Sequence, residues 1–401
     1  MISSGAGLPA DVRERQPILV AGAGIGGLAA AIALARVGVR VVVLEQRQAA
    51  DEDGAGIQIG PNGVAMLRAL GAAELLQPFV AEPNEIVVRD GHSGRRLARL
   101  PLAPRMQQRH GAPYWTTRRS DLHRALLTRA LSMAAITVEH GFEVTGIDES
   151  ADGIDVSDST GRRLSGDALV GADGLWSIVA PLRLGAQSPH FAGRTAARAM
   201  LPADALPPVF GGGATGIWLG PRTHLVHYPV DAGRAVNIVA ISEGGPQSRD
   251  WGAPIDPADL LPAFAGWSAE VHSLFRLPGQ WRRWSLMERA PLAEWSRGRV
   301  TLLGDAAHPI LPFLAQGAVL ALEDSIALAA AVEREPSDLA VAFRAYSSGR
   351  VARAARVVDA SRGNGRIYHL SGAAAAARNL AMRVIPPDRL IARYDWLYGY
   401  R

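Results

Sequence analysis

The chain has 401 residues, of which 48% are hydrophobic and 20% charged, and its formal net charge is +4. It is long enough for two packed domains, and it contains no Cys, no Lys and no apolar run of the roughly 18 residues that a membrane span needs. These features exclude disulfides, thiolate nucleophiles and Schiff-base lysines, and they predict a cytoplasmic protein without a membrane partner. Since the Arg residues are scattered among acidic ones, no nucleic-acid partner is predicted either.

The first predicted elements form a strand, helix, strand unit. Residues 1–16 are polar and mixed in charge, and they are interpreted as a flexible tail. A strand over 18–21 is followed by a Gly-rich turn, an Ala/Leu-rich helix over 25–37 and a second strand over 40–45. Continuous apolar strands are typical of a parallel sheet buried on both faces, so the predicted class is α/β.

The Gly-rich turn reads GAGIGG and contains Gly22, Gly24 and Gly27. Bare backbone at these positions lets a pyrophosphate approach the amide donors at the start of the helix. Glu45 ends the second strand, where a carboxylate can accept hydrogen bonds from an adenosine ribose. The spacing therefore predicts a dinucleotide site and leaves NAD and FAD open.

Later segments predict that this nucleotide domain is discontinuous. Apolar runs over 168–171 and 300–303 lead into turns that contain Asp173 and Asp305, whereas segments such as 223–229 and 235–241 alternate like antiparallel strands. Helix formers dominate from 316 to 335 and from 339 to 381, with Gly363 and Gly365 interpreted as punctuation. The predicted divisions are a nucleotide domain over 17–83, 106–185 and 286–340, an inserted sheet domain over 84–105 and 186–285, and C-terminal covering helices over 341–401.

Two further motifs carry a family resemblance that spans the chain from about residue 17. They are GADGLWSIVA at 171–180 and LLGDAAHPILPFLAQGAVLALEDS at 302–325, and further matching segments are GAGIQIGPNG at 54–63, TRRSDLHRAL at 117–126 and RYDWLYGY at 393–400. Together with the Gly-rich turn, the two motifs resemble the three signatures of the class A flavoprotein monooxygenases, which include para-hydroxybenzoate, salicylate, 3-hydroxybenzoate and 6-hydroxynicotinate hydroxylases.

The resemblance implies a Rossmann-like FAD domain of the glutathione-reductase type with an inserted substrate domain. It implies FAD as cofactor, NADH or NADPH as transient donor, O2 as co-substrate, and hydroxylation of a small aromatic acid through a flavin hydroperoxide. The FAD contacts that it implies come from Arg119, the backbone near Val144, Asp173 (also near the donor), Gly304, Asp305, Pro312, Gly317 and Ala318. The family usually has Arg where this chain has Ala180, with Arg183 three residues on.

Candidate catalytic residues lie in THLVHYP. On a strand His224, Val226 and Tyr228 share one face, and Leu225 and His227 point the other way. The resemblance carries a substrate-facing His and Tyr, four residues apart, to His224 and Tyr228. We expect His224 to deprotonate or hydrogen-bond the substrate hydroxyl and Tyr228 to orient the ring and its carboxylate.

Other expected site residues are Gln58 beside the flavin, and Phe313 and Trp218 in the substrate pocket. His308, in DAAHP, is interpreted as framework of the flavin loop. His227 is expected to be structural or exposed. The dispersed His residues and the absence of Cys predict no metal site.

Several alternatives stay open at this point. A decarboxylating hydroxylase of the salicylate or 6-hydroxynicotinate type is one, and a flavin dehydrogenase that does not activate oxygen is another. Neither the exact substrate and hydroxylated position nor the choice between NADH and NADPH follows from the sequence. The oligomeric state is also open, with a homodimer among the alternatives.

Overall fold

A computed structural model describes residues 16–48, 55–245, 252–277 and 279–400. The strands, numbered in chain order, are β1 (Ile18–Ala21), β2 (Val41–Glu45), β3 (Gly56–Ile59), β4 (Glu85–Asp90), β5 (Arg96–Pro101), β6 (Trp115–Arg118), β7 (Ile136–His140), β8 (Gly146–Glu149), β9 (Ile154–Ser157), β10 (Arg163–Gly166), β11 (Ala168–Gly171), β12 (His190–Pro202), β13 (Thr215–Gly220), β14 (Thr223–Val230), β15 (Ala235–Glu243), β16 (Ala253–Ile255), β17 (Trp281–Glu288), β18 (Ser296–Arg297) and β19 (Val300–Leu302).

The α-helices are α1 (Ile25–Arg36), α2 (Pro61–Leu70), α3 (Ala73–Leu76), α4 (Arg105–His110), α5 (Arg119–Leu131), α6 (Val179–Leu184), α7 (Ala269–Leu274), α8 (Gly317–Arg334), α9 (Leu339–Tyr368), α10 (Gly372–Val384), α11 (Pro387–Ala392) and α12 (Asp395–Tyr398). Short 3-10 helices cover Gln77–Phe79, Ala203–Ala205, Asp231–Gly233, Pro257–Leu260 and Gly304–Ala306.

The first large sheet has six strands in the order β18-β19-β11-β1-β2-β7. β1 pairs in parallel with β2 and β11, and β11 pairs in parallel with β19. All four residues of β1 are buried; α1 packs against β1 and β2, and α8 packs against α1. The α/β class and the parallel sheet are confirmed, and the predicted helix over 25–37 ends one residue early, at Arg36.

The second large sheet has eight strands in the order β16-β17-β12-β15-β14-β13-β4-β5. Neighbouring strands in this sheet are antiparallel, except for β13 and β4, which are parallel. Because β4 and β5 come from the early part of the chain, this sheet is assembled from two separate segments. Two small sheets complete the strand structure, one formed by β8, β9 and β10 and the other by β3 and β6.

The eight-stranded sheet buries both faces, each against different residues. On the outer face Phe210, Trp218 and Leu225 pack with α7 in one hydrophobic cluster. The inner face meets the loop after β19 and the C-terminal helices, through residues such as Leu311, Phe313 and Tyr368. Residues directed from the inner face therefore point toward the six-stranded sheet and its loops.

The long C-terminal helix corrects the interpretation of Gly363 and Gly365 as punctuation. α9 runs through both glycines to Tyr368, and the chain turns only at His369–Ser371. A Cβ at Gly365 would lie 2.7 Å from Cδ2 of Phe313. Gly365 therefore lets the helix approach the Phe313 loop instead of ending the helix.

Candidate active site

The Gly-rich turn after β1 forms an open backbone cradle at the start of α1. Gly22 has φ +101°, and a Cβ there would lie 2.6 Å from the carbonyl oxygen of Ala172. A Cβ at Gly27 would lie 1.8 Å from the carbonyl oxygen of Gly22. At Gly24, by contrast, a Cβ would meet no atom of the described residues within 4 Å. The turn is closed on its protein side and bare on the side where a phosphate would approach the helix N-terminus.

Glu45 lies beside this cradle. Its Oε2 accepts a hydrogen bond of 2.9 Å from the backbone N–H of Ala23, and its carbonyl accepts one of 2.9 Å from Phe142. Val144, two residues beyond Phe142, is buried in the hydrophobic core of the six-stranded sheet. The structure thus brings Glu45 and the segment near Val144 to the same end of the sheet as the Gly-rich turn.

Asp305 lies in the 3-10 turn that follows β19. Gly304 has φ +59°, a conformation that favours glycine, and its N–H donates 3.1 Å to Oδ2 of Asp324. The Asp305 side chain is accessible to solvent, yet surrounding protein atoms desolvate its carboxyl and raise its pKa. The positive charges of His308, Arg119 and Arg289 oppose that rise. Arg119, an exposed residue that starts α5, is therefore near Asp305.

Asp173 holds an unsatisfied oxygen next to this turn. Its Oδ2 accepts hydrogen bonds of 2.8 Å and 3.1 Å from the N–H groups of Ile178 and Val179, whereas its Oδ1 is buried and has no hydrogen-bond partner among the described residues. Burial raises the pKa of Asp173. A buried, unpaired carboxylate oxygen fits a ligand that donates a hydrogen bond to it, as a cofactor can.

Arg289 is a charged residue of this region that the sequence did not reveal. It is 2% exposed and donates through Nη2 to the carbonyl oxygen of Ala306, and its Nε has no hydrogen-bond partner in the described part of the chain. Burial lowers its pKa, and the nearby charges of Asp173 and Asp305 oppose this. Arg289 therefore sits close to both carboxylates. It follows β17 in an unremarkable MERAP segment, so no spacing pointed to it.

The loop from Asp305 to α8 is held by a buried framework. Nε2 of His308 lies 2.6 Å from Oδ2 of Asp324, which agrees with the interpretation of His308 as framework. Pro312 is exposed and Phe313 is 4% exposed. A Cβ at Gly317 would lie 3.0 Å from Cγ2 of Ile310, so a larger residue would crowd Ile310 where α8 begins. Ala318, partly buried, is the second residue of that helix and lies near its positive N-terminus.

His224 lies on the inner face of the eight-stranded sheet, toward this loop. It is 1% exposed, and its ring centroid lies 5.6 Å from that of Phe313 and 5.2 Å from that of Tyr368. Burial lowers its pKa well below the usual range, and the charges of His369 and Arg194 act in the same direction. His224 is thus a neutral imidazole between aromatic rings.

Tyr228 shares the face of His224 because the strand alternates. In the pairing of β14 with β15, His224 lies opposite Ile241, Val226 opposite Val239 and Tyr228 opposite Asn237. Burial raises the pKa of Tyr228 far above its usual value, against the charge of Arg198. Its hydroxyl is therefore protonated over the whole neutral range.

Gln58 joins the site through a second phenol. The hydroxyl of Tyr114 donates 2.9 Å to Oε1 of Gln58. Burial raises the pKa of Tyr114 well above its usual value, and the neighbouring phenols of Tyr398, Tyr228 and Tyr368 add to that rise. The structure thus groups Gln58 and Tyr228 around Tyr114, which the sequence analysis did not select.

A contact between the small β3–β6 sheet and the eight-stranded sheet lies beside Gln58. The N–H of Gly56, at the start of β3, donates 2.8 Å to Oδ1 of Asn237 on β15. A Cβ at Gly56 would lie 2.5 Å from Cγ of Asn237, so only glycine allows this approach. The contact fixes the position of β3, and hence of Gln58, relative to the inner face that carries Tyr228.

Two residues outside β14, His369 and Glu243, extend the site beyond sequence reasoning. Nδ1 of His224 lies 2.7 Å from Nε2 of His369, which follows α9. Nδ1 of His369 lies 3.2 Å from Oε1 of Glu243 at the end of β15. His224 and His369 are 145 positions apart, so no local pattern could have joined them.

Trp218 was expected in the substrate pocket, and the strand register corrects this. It pairs with Leu225 and so lies on the outer face, opposite His224. It is fully buried there, and its ring stacks on Phe210 with centroids 5.4 Å apart. His227 also faces outward, 2% exposed, so of its two predicted states it is the structural one. Trp218 is therefore a core residue of the outer cluster.

The parallel sheet, the bare Gly-rich turn and the unpaired Asp173 oxygen define a dinucleotide-binding oxidoreductase. The sequence matches the FAD binding domain family over residues 15–361. The chain belongs to this family, and it is a flavoprotein of the aromatic monooxygenase class with FAD as its cofactor. The resemblance to the class A flavoprotein monooxygenases is thereby confirmed.

Relatives of known name match almost the whole chain. A 3-hydroxybenzoate 6-hydroxylase of Polaromonas naphthalenivorans is 38% identical over 98% of this chain and 97% of that protein. A 6-hydroxynicotinate 3-monooxygenase of Bordetella bronchiseptica is 36% identical over 86% of this chain and 91% of that protein. The crystal structure of Klebsiella pneumoniae HpxO, complexed with FAD and uric acid, superposes with a TM-score of 0.85 at 30% identity, covering 96% of each chain.

Among the described residues, no helix is both long and apolar enough to cross a membrane.

Proposed function

We propose that this enzyme hydroxylates a small aromatic acid that already carries a ring hydroxyl, of the hydroxybenzoate class. O2 is the co-substrate, and NADH or NADPH is the electron donor. The observation that carries the proposal is that an imidazole, His224, and a phenol, Tyr228, share the inner face that meets the Phe313 loop. The hydroxybenzoate hydroxylase among the relatives supports this substrate class.

The protein side chains prepare the substrate for attack on oxygen. His224 accepts the proton or the hydrogen bond of the ring hydroxyl, which makes the aromatic ring a stronger nucleophile. Tyr228, whose pKa is raised by burial, keeps its O–H and donates it to orient the ring and its carboxylate. The positive charge of Arg194, over the Phe313 ring at 5.2 Å, favours the anionic form of the guest.

The cofactor contacts follow from the cradle. We assign the pyrophosphate to the Gly22, Gly24 and Gly27 turn, the adenosine ribose to Glu45, and the ribityl chain to Asp305. Bound FAD supplies the redox chemistry, accepting a hydride from the nicotinamide donor and activating O2. The positive N-terminus of α8, at Gly317 and Ala318, would favour negative charge on a flavin ring bound beside it. Arg119, Val144, Asp173, Gly304 and Pro312 complete the proposed contacts.

The exclusion of water is the second task of the site. Phe313 and Tyr368 flank His224, and Gly365 allows α9 to close on Phe313. An apolar enclosure of this kind protects reactive intermediates from hydrolysis. Gln58, held by Tyr114, is placed beside the flavin in this proposal.

The decisive experiment is a screen of substituted benzoates and pyridine carboxylates. Stimulated NADH or NADPH oxidation that yields a hydroxylated product supports the proposal, and the preferred donor is read from the same assay. Stimulation with hydrogen peroxide as the only product, for every compound, would contradict it. The same screen tests a flavin dehydrogenase, which would use the donor without consuming O2.

Replacing Tyr228 with Phe tests the assigned substrate contact. We expect Y228F to lose at least about tenfold in kcat/KM, because one hydrogen bond to a charged group contributes roughly 1.5–3 kcal/mol. FAD content, measured by flavin absorbance per protein, should stay at the wild-type level. Equal losses of activity and FAD would mean that Tyr228 is structural.

A decarboxylating hydroxylation is the second candidate, because the 6-hydroxynicotinate 3-monooxygenase relative is almost as similar as the hydroxybenzoate enzyme. Trapping carbon dioxide from carboxyl-labelled substrate separates the two reactions. Release in proportion to donor oxidation would favour the decarboxylating route.

We further propose a cytoplasmic location and a homodimer. Cell fractionation tests the first, and light scattering of the purified holoenzyme tests the second. Flavoprotein recovered outside the cytoplasm, or a monomeric mass at working concentration, would contradict these assignments.

A further inference from the structure

A chain of three hydrogen-bonding side chains connects the buried His224 to the protein surface. Nδ1 of His224 meets Nε2 of His369 at 2.7 Å, and Nδ1 of His369 meets Oε1 of Glu243 at 3.2 Å. The exposed fraction of the side chain is 2% for His369 and 29% for Glu243. This series of hydrogen bonds therefore leads from the interior of the protein to the solvent.

Hydrogen-bond chemistry fixes which nitrogens carry protons. A carboxylate can only accept, so Nδ1 of His369 must be the protonated nitrogen of that ring. In a neutral imidazole the other nitrogen is then bare, so Nε2 of His369 accepts a hydrogen bond from Nδ1–H of His224. The remaining nitrogen of His224, Nε2, is left as an acceptor.

Glu243 is ionised strongly enough to impose this order. Desolvation would raise its pKa, but hydrogen bonds from His369 and Arg222 and the charge of Arg194 hold the pKa below its usual value. Nε of Arg222 lies 3.0 Å from Oε2 of Glu243, and Nη2 of Arg194 lies 3.6 Å from Oε1. The anionic end of the chain is thus stabilised by two guanidinium groups.

His369 is positioned from its backbone as well as from its ring. Its carbonyl oxygen accepts 3.2 Å from the N–H of Arg222. Arg378 donates at 2.9 Å to the carbonyl oxygens of Ile367 and Tyr368, which holds the end of α9 in place. The ring therefore has little freedom to leave His224.

We propose that His369 is a positioning residue of the hydroxylation reaction: with Glu243 it holds His224 in the tautomer whose Nε2 accepts the substrate proton, and it conducts that proton to the surface. This inference rests on the role proposed above for His224. The substrate O–H bond breaks as Nε2–H forms on His224, Nδ1–H of His224 passes to Nε2 of His369, and Nδ1–H of His369 passes to Glu243. Each ring gains one proton and loses one, and Glu243 releases its proton to solvent. A proton that later returns from solvent through Glu243 and His369 to the hydroxyl oxygen of the product restores both tautomers.

The surroundings of the two rings favour conduction over storage of the proton. Burial lowers the pKa of His224 well below its usual range, and that of His369 to about 4. Neither imidazole therefore keeps a positive charge at neutral pH. The titratable and charged groups that surround the pair are Tyr368, Glu243, Arg194, Arg222 and Arg378.

The first test needs no substrate. In FAD-loaded enzyme labelled with 15N-histidine, we expect NMR at neutral pH to find His224 protonated at Nδ1 and bare at Nε2. In the E243Q variant the side-chain amide can donate as well as accept, so Nδ1 of His369 need not be protonated. We therefore expect a mixture of tautomers in His369 and His224. His224 protonated at Nε2 in the wild type would overturn the proposal.

The second test is a pH profile of product formation from 3-hydroxybenzoate. We expect H369F to lower kcat at least about tenfold near neutral pH, since a positioned base contributes roughly 10²–10⁴ in rate. Activity should recover toward about pH 10, where a phenol ionises unaided. The matched control H227Q, on the same strand and facing outward, should keep the shape of the wild-type profile.

The outcomes of this test separate the two proposals. An H369F profile of wild-type shape would overturn the positioning role. If H369F does not fold, E243Q at the exposed end of the chain is measured in the same way, with the same expectation and the same contrary result. Failure of the wild type to hydroxylate 3-hydroxybenzoate would count against that substrate class, and the NMR tautomers would then decide the role of His369.

Discussion

His224 and His227 stand three residues apart on β14 and face opposite sides of one sheet. Both are buried as neutral imidazoles, and desolvation lowers the pKa of His227 to about 3. Between its ordinary value of 6.5 and that value, the unfolded chain binds a proton that the folded chain does not. The contribution of His227 to the free energy of unfolding is therefore fully present above about pH 6.5 and is lost as the pH is lowered.

We accordingly expect H227Q to flatten the acid side of the stability profile. Each buried histidine contributes a slope of about 1.4 kcal/mol per pH unit to the free energy of unfolding. Urea unfolding of the holoenzyme between about pH 6 and about pH 4 measures the slope, and a constant offset from lost packing does not affect it. An unchanged slope in the variant would show that His227 is protonated in the folded protein.

Asp305 is the residue proposed to bind the ribityl chain of the cofactor. Its carboxyl follows a buried strand and lies near Arg119 and Arg289, where it can accept hydrogen bonds from cofactor hydroxyls. We expect D305A to be purified without flavin colour and to bind added FAD at least about tenfold more weakly. Fluorescence titration of FAD measures the affinity, and a fully yellow variant would reject the ribityl assignment.

The sequence predicted some of these site residues and not others. Strand parity, which depends only on local geometry, was sufficient to put His224 and Tyr228 on one face. The face of the sheet on which Trp218 lies depends on which residues pack against each face, and local sequence does not determine this. The predicted position of Trp218 in the substrate pocket was therefore wrong. His369 and Arg289 reach the site through tertiary packing alone, and no sequence spacing encodes such contacts.

At the scale of elements, α8 and α9 are joined by buried ion pairs. Arg350 of α9 donates 2.8 Å to Oδ1 of Asp324 and 2.9 Å to Oε2 of Glu323, and all three side chains are at most 2% exposed. Desolvation would raise the pKa of Asp324, yet the charges of His308 and Arg350 hold it at about 2. Nδ2 of Asn62 also donates to Glu323, at 2.9 Å, which ties in α2.

Removal of Arg350 should therefore destabilise the whole flavin loop. We expect R350M to lower the free energy of unfolding by about 3 kcal/mol, because Asp324 and Glu323 each lose one buried partner while His308 and Arg353 remain. The control R362M, on the same helix, breaks the half-exposed pair with Glu288 and should cost less than about 1 kcal/mol. Chemical denaturation in saturating FAD compares them, and equal losses would contradict a special role for the buried pairs.

Element existence was easier to predict than element ends. The strands over 18–21 and 168–171 were found at those bounds, because continuous apolar runs have few alternatives. The C-terminal helices were also predicted, but the break was expected at Gly363 and Gly365 and occurs after Tyr368. Helix propensity penalises glycine at about 1 kcal/mol, and close packing against Phe313 outweighs that cost.

The proposed cofactor site is formed by segments that are widely separated in the sequence. The Gly-rich turn, Arg119, Asp173 and Asp305 come from four different parts of the chain, so bound FAD links them. We expect FAD at about 100 times its Kd to stabilise the protein by about 2.7 kcal/mol relative to apoprotein. Thermal unfolding with increasing FAD measures this, and D305A should show a smaller rise. A midpoint independent of FAD would contradict the linkage.

The C-terminal segment is fixed to the core by the same arginine-rich helix. Arg353 donates 2.9 Å to the carbonyl oxygen of Trp396 and stacks over Tyr400 at 4.2 Å. The ring of Tyr398 lies against Gly60, where a Cβ would meet its Cε1 at 2.7 Å, and packs edge-on to Tyr114. The closing residues thus form part of the wall behind Gln58.

This arrangement sets an order of assembly during synthesis. The Gly-rich turn and the strands after it leave the ribosome long before Tyr398 is synthesised. A nascent chain that has not reached Tyr398 therefore lacks this part of the wall behind Gln58, and the wall is completed only once Tyr398 packs against Gly60 and Tyr114.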